Sequence, residues 1–268
     1  MPNDSAPKPE IDYSVPQTAR IWNYWLGGKD NSEVDRQVGE DILKVIPNMA
    51  DMARATRQFL VRAVSHLAAE EGIRQFLDIG TGLPTVNNTH EVAQSVAPDS
   101  RIVYVDNDPL VLLHAQALLT SSPEGATAYL HADLREPEDI LRGAADTLDF
   151  DRPIALMLMG ILGHMTDDDE AVDIVRRLVA ALPSGSFLAL YDATNVIMAP
   201  QVAEAIGIWN ANAKPPYVLR SPDQLARFFD GLEMVEPGLV SCPLWRPEPS
   251  DIGEPVPIDE FGGVGRKP

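Results

Sequence analysis

Short apolar strands alternate with amphipathic helices from Gln75 onward, which predicts an α/β protein with a mostly parallel sheet and helices on both faces. Two observations sharpen this. A Gly-x-Gly turn, Gly80-Thr81-Gly82, follows the first apolar strand. Three aspartates, Asp78, Asp106 and Asp133, fall at or near the ends of three successive strands. In an open α/β sheet a ligand binds in the crevice beyond the strand C-termini. Turn and acids therefore share one edge.

The elements follow in order. Residues 1–15 are polar and proline-bearing and read as a flexible tail. Ile21, Trp22, Trp25 and Leu26 recur at helical spacing within 16–26. Gly27-Gly28 ends that helix, and Ser32 with Asp35 reads as a capping box for the next. Val34, Val38, Ile42 and Val45 mark its buried stripe. A third helix over 48–70 carries Met52, Phe59, Leu60, Ala63, Val64 and Leu67 on one face, with Gly72 beyond its end. Residues 16–72 form a helical cover, expected across the ligand edge or along one face of the sheet.

Strands are predicted at 75–79, 101–105, 127–131, 154–159 and 186–191. Apolar throughout, 154–159 suits a central strand buried on both faces. The helix after the glycine turn, within 85–96, would point its free N–H groups at the crevice. The helix after Asp108-Pro109 turns Leu110, Leu113, Ala117 and Leu118 inward. Asp167-Asp168-Asp169 opens a helix to about 182, where acids suit the dipole. Helix is predicted at 195–212 and again from Ser221, then strand-like material split around Pro237-Gly238. The organisation expected is one domain over 16–245, with a core at 73–245 and an extended tail at 246–268.

The charge bounds the function. Forty acidic against 21 basic residues give a net charge of -19 over 268 residues. Such a surface repels nucleic acid and anionic membrane. Cys242 is the one cysteine, so an intrachain disulfide is impossible and a cytoplasmic location is expected. The N-terminus lacks the apolar core of a signal peptide, and no apolar run reaches the roughly 20 residues of a membrane span.

The acids argue for a particular ligand. A carboxylate ending the second strand, Asp106, can accept from both ribose hydroxyls. One after the third, Asp133, can accept from an adenine amine. Asp78, beside the glycine turn, favours a cationic group over a pyrophosphate. Leu83-Pro84 and Thr85 also depart from the dinucleotide fingerprint, which needs a third small residue. These points favour S-adenosyl-L-methionine over NAD.

The strings QFLDIGTGLPT, VYVDNDP, ADLREP, MGILGHMTD and GSFLALYDAT resemble a family of bacterial S-adenosylmethionine-dependent methyltransferases of largely unassigned substrate. YWLGGKDN, RSPDQLARFFDGLEMVEPGLV and WRP extend the resemblance over nearly the whole chain. It implies a Rossmann-like class I methyltransferase fold with a seven-stranded sheet. It further implies that Gly80 and Gly82 line the methionine part of the cofactor, Asp106 holds the ribose, Asp133 and Leu134 meet the adenine, and Asn107 lies against its ring. Arg57, where the family pattern has an arginine, becomes the candidate for the cofactor carboxylate. Gly160 belongs to the loop beside the transfer site.

Other candidates have structural readings of equal weight. Gly28 is either part of a lid loop over the cofactor or a helix cap. His164 after the fourth strand and Asp192 after the fifth are candidate bases, or a loop histidine and a strand-end acid. Trp22, Tyr24 and Trp25 are core residues or an aromatic substrate wall. No metal-ligand spacing joins the histidines to one another or to Cys242. The function expected is methyl transfer to a small molecule. A non-catalytic S-adenosylmethionine-binding module and, more weakly, an NAD-dependent oxidoreductase are the alternatives.

Overall fold

The computed structural model describes residues 11–118, 120–248 and 254–268, without the side chains of 116–118. Nine helices and eight strands are present among them: α1 (Thr18–Trp25), α2 (Glu33–Val45), α3 (Met49–Ala69), β1 (Gln75–Ile79), α4 (Thr89–Val96), β2 (Arg101–Asp106), α5 (Pro109–Leu118), β3 (Ala126–His131), α6 (Pro137–Ala144), β4 (Ala155–Met159), α7 (Asp168–Ala181), β5 (Phe187–Ala193), α8 (Ala199–Asn212), α9 (Pro222–Ala226), β6 (Glu233–Met234), β7 (Val240–Ser241) and β8 (Glu260–Arg266). The sheet order is β3-β2-β1-β4-β5-β8-β6, with the two-residue β7 also on β8. β1 to β5 are mutually parallel, and β8 runs antiparallel to β5. Seven strands thus lie on the main path, as expected, and β7 is an addition.

Strand alternation divides the core into two layers. Leu77, Ile79, Val103, Leu156, Leu158 and Leu190 face Ile140 of α6 and Ile174, Val175 and Leu178 of α7. Phe76, Ile102, Met157 and Ala189 face Phe59, Leu60, Ala63, Val64 and Leu67 of α3. Each large side chain buried there contributes roughly 1.5–3 kcal/mol. By the same alternation Asp78 lies on the α3 side, beneath Arg57.

The first three helices divide between two places. α3 lies along the sheet, while α1 and α2 pack on α8 through Ile21, Trp25, Val38, Ile42, Val202 and Trp209. The Ser32–Asp35 capping box is present. Arg20 and Asp35, both buried, form an ion pair at 2.8 Å. Arg20 also donates to the carbonyls of Asp12 and Val15. Residues 12–15 are therefore tied down, whereas 1–10 of the expected tail lie outside the described residues.

Three further expectations are corrected. Leu113 is 50% exposed, not inward, and the side chains of Ala117 and Leu118 lie outside the described residues. α8 begins at Ala199 rather than 195. The largest correction concerns 246–268: within that expected tail, 260–266 form β8, buried between β5 and β6. Its glycines suggested a loop, but they answer crowding. A Cβ on Gly262 would stand 2.8 Å from Phe59 Cζ and 2.9 Å from Tyr191 Cβ.

Asp259, just before β8, holds the approach to α8. Its carboxylate accepts the Thr194 hydroxyl at 3.0 Å and the amides of Val196, Ile197 and Met198 at 2.7, 3.0 and 2.6 Å. Asp259→Ala strands these donors and is expected to lower stability by about 2–4 kcal/mol in urea unfolding. An unchanged midpoint would show that 194–198 holds itself.

Candidate functional site

The crevice opens where the sheet order reverses, between β1 and β4. Gly80 and Gly160 follow these strands with φ of +76° each, a region closed to most side chains. The Gly80 amide donates to Val105 O on β2, and the Gly160 amide to Tyr191 O on β5. The two loops thus bend away from each other. Gly82, also at positive φ, has open space where a Cβ would stand.

One cavity here is lined by Arg57, Asp78, Gly80, Gly82, Asp106, Asn107, Gly160 and His164, with Trp22, Asn23 and Tyr191 among the others. An adjoining cavity is lined by Asp133 and Leu134 and shares Gly80, Asp106, Asn107, Ile161 and His164 with the first. The two adjoining cavities, together the trough, lie across the ends of β4, β1, β2 and β3. Ten of the sequence-predicted residues therefore converge: eight on the first cavity and two on its extension.

The acids are held differently. Asp106 accepts the amides of Gly82 and Asp108, each at 2.9 Å. Burial nevertheless pushes its carboxyl up to about 6, against the pull of those amides. Asp78 is 4% exposed and accepts the Thr89 hydroxyl at 2.6 Å. Burial pushes it to about 6 as well, opposed by Thr89 and the Arg57 charge and reinforced by Asp106. For Asp133, burial acts upward but the Arg135 amide and the Asn107 side chain outweigh it, holding the carboxyl below its usual range. Asn107 Nδ2 reaches Asp133 at 3.0 Å.

Arg57 reaches down from α3. One guanidinium nitrogen donates to the carbonyls of Val86 and Asn87 at 3.3 and 2.9 Å. Its Nε is buried with no partner among the described residues. The N–H groups expected from α4 do not serve the crevice: Asn88 and Glu91 cap that helix themselves.

His164 is 6% exposed. Its Nδ1 lies 3.0 Å from Pro216 O, which can only accept, so Nδ1 carries the proton. Nε2 then offers its lone pair toward the Thr18 hydroxyl at 3.4 Å. Burial pushes the imidazole down to about 4, leaving it neutral at pH 7.

Two candidates are not in the crevice. Gly28 does not line it. A Cβ there would come within 2.3 Å of the Asn23 side chain, so the glycine serves the close turn of 27–31. Asn23 Oδ1 accepts the Asp30 amide and the Asn31 side chain, which fixes that turn. Asp192 is 1% exposed and does not line the crevice either. It accepts the Gly163 and Ala193 amides and the Tyr217 hydroxyl, so it positions the His164 loop and Tyr217.

Thr18, Asn23 and Tyr191 line the crevice without having been anticipated. Thr18 and Tyr191 carry no local pattern. Asn23 had a weak signal, since an Asn beside Gly27-Gly28 can satisfy the turn's donors.

Crowding two carboxyls in the crevice has a cost in stability. The Asp78 carboxyl titrates near 3.8 in the unfolded chain and near 6 in the native one. It therefore favours the native state at low pH, and that contribution is lost as pH rises through about 6. Asp78→Asn, which keeps an acceptor for Thr89, is expected to stabilise the fold by about 1–3 kcal/mol at about pH 8. The gain should vanish below about pH 4. Urea unfolding at both pH values checks this, and no gain at the higher one would refute it.

Comparison with known proteins agrees with the geometry. No curated protein matches the chain. Among solved structures, a DUF574 family protein from Streptomyces avermitilis MA-4680 is 46% identical with a TM-score of 0.92, covering 97% of this chain and 100% of that one. A protein of Thermobifida fusca YX, proposed to be a methyltransferase, is 43% identical with a TM-score of 0.87, covering 98% and 99%. Human N-acetylserotonin methyltransferase, solved with S-adenosylmethionine, shares the fold at 12% identity and a TM-score of 0.52, over 92% of this chain and 66% of that one. A family model described as S-adenosyl methyltransferase matches residues 4–268. The chain belongs to the S-adenosyl methyltransferase family and is an S-adenosylmethionine-dependent methyltransferase.

Proposed function

We propose that this enzyme methylates a small organic acceptor, with the cofactor lying along the trough. Asp106 would accept from the ribose hydroxyls. Asn107, Asp133 and Leu134 would enclose the adenine. Gly80, Gly82 and Gly160 would leave room for the methionine chain. The observation that carries this reading is the pairing of an unpartnered Arg57 Nε with a buried Asp78 at one end of the trough. An amino-acid end carries a carboxylate and an ammonium, and these two side chains match both.

Bound there, S-adenosylmethionine would supply an electrophilic sulfonium methyl to an acceptor lone pair, with the S–C pair returning to sulfur as a neutral thioether and the acceptor proton passing to water. The chain contributes alignment and exclusion of water. Trp22 of α1 and Leu26 just beyond it close one side of the trough. His164, neutral and with a weakly basic Nε2, serves as a hydrogen-bond acceptor beside Thr18 and not as a strong base. Asp192 positions that loop from below. The -19 charge supports a small acceptor over a nucleic acid. Buried, unpaired Cys242 supports a cytoplasmic location. No helix among the described residues is long and apolar enough to cross a membrane.

Calorimetric titration with S-adenosylmethionine, S-adenosylhomocysteine and NADH tests the cofactor assignments. The adenosyl compounds should bind and NADH should not. Asp106→Ala should weaken binding by about 1.5–3 kcal/mol, roughly 10- to 150-fold, without unfolding the chain. Because the ionised form of Asp106 accepts the ribose, affinity should fall by up to about tenfold per pH unit below about pH 6. Unchanged affinity in the variant would remove Asp106 from the site.

A further inference from the structure

A second cavity lies beside the crevice, beneath the helical cover. Trp22, Trp25, Met52, Val202, Trp209 and Tyr217 line it, together with Asp259 and Glu260. Trp22 lines both cavities, so they share a wall. The lining is almost wholly apolar or aromatic, apart from the two acids.

Those acids are not equivalent. Asp259 is fully engaged by the hydroxyl and amides of 194–198. Glu260 is 4% exposed, and among the described residues the influences on its carboxyl are burial and the charges of Asp192 and Asp259, with no hydrogen-bond donor and no lysine or arginine. Burial, together with the charges of Asp192 and Asp259, raises its carboxyl well above the usual range. An unpartnered carboxyl in an apolar wall destabilises a fold. Neighbouring acids make the position worse, because they leave the local field negative. Nothing in the sheet needs a carboxyl here, since β8 pairs with β5 through backbone groups.

We propose that this cavity is a second ligand site that binds a small apolar amine, with its ammonium on Glu260 and its hydrocarbon or aromatic body between Trp22 and Trp209. The ligand class rests on the chemistry of the cavity itself. A cation compensates the lone carboxyl and its two acidic neighbours, and indole faces attract it further. A neutral ligand of the same shape fills the walls but leaves the carboxyl unpaired. An anion is repelled.

The test uses the full chain and three probes of similar shape: benzylamine, benzyl alcohol and benzoate. Binding is followed by tryptophan fluorescence and calorimetry, with and without saturating S-adenosylhomocysteine. Benzylamine should bind at least about tenfold more tightly than benzyl alcohol, and benzoate most weakly. Glu260→Gln should erase the preference for the amine while leaving S-adenosylhomocysteine affinity unchanged. Trp209→Ala should weaken amine and alcohol alike. Equal binding of amine and alcohol, tighter binding of benzoate, or binding of none of the three would overturn the inference. The wild-type comparison decides even where a variant fails to fold. Loss of S-adenosylhomocysteine binding with the amine preference intact would count against the crevice assignment. The reverse pattern would count against the ligand class alone.

Discussion

The structure depends on a divergence of two backbone turns. β1 and β4 lie side by side and parallel, yet the chain must leave their ends in opposite directions. Gly80 and Gly160 make this possible. Each takes a left-handed conformation, and each returns a hydrogen bond to the outer neighbouring strand, Gly80 to Val105 and Gly160 to Tyr191. Space between the loops is limited as well: a Cβ on Gly80 would stand 2.7 Å from the Ile161 side chain. A side chain at Gly80 would thus strain the turn and press against the opposite wall of the crevice. Every other feature of the site is arranged around the gap these residues leave.

Into that gap the sheet directs carboxyls rather than apolar groups. Asp78 and Asp106 are held where their ionised forms are disfavoured, with pKa values near 6. A core selected only for stability would not place them so. Their placement suits a ligand that brings hydroxyl and ammonium donors to them. Arg57 shows the complementary condition: a buried donor with no acceptor. A buried carboxyl and an unpartnered guanidinium N–H at one end of a trough suit a zwitterion better than any simple ion.

Much of this was legible in the sequence, for a physical reason. Parallel strands buried on both faces are short apolar runs, and an acid ending such a run points at the crevice whatever the helices do. Hence β1 to β5, the glycine turn and Asp78, Asp106 and Asp133 could all be placed from local pattern. β8 could not. Its sequence, Glu-Phe-Gly-Gly-Val-Gly-Arg, is glycine-rich because Phe59, Tyr191 and Phe229 crowd it, and that crowding exists only in the folded sheet. Gly28 and Asp192 misled for the same reason in reverse. Their residue types suited a site, but the Asn23 side chain fills the space beside Gly28, and Tyr217, brought near by folding, donates to Asp192.

The division of labour between sheet and cover then follows from topology. The acids proposed to hold the cofactor come from strand ends, whose positions are fixed by backbone pairing across the whole sheet. The second cavity is walled by α1, α3 and α8, whose positions depend on side-chain packing and on two buried polar anchors, Arg20–Asp35 and Asp259. Helix packing tolerates substitution more readily than a paired strand end does, because one side chain can change without shifting a register. Glu260 sits at the junction. It belongs to a strand of the sheet, so its backbone is fixed, but its side chain faces a cavity that the cover defines.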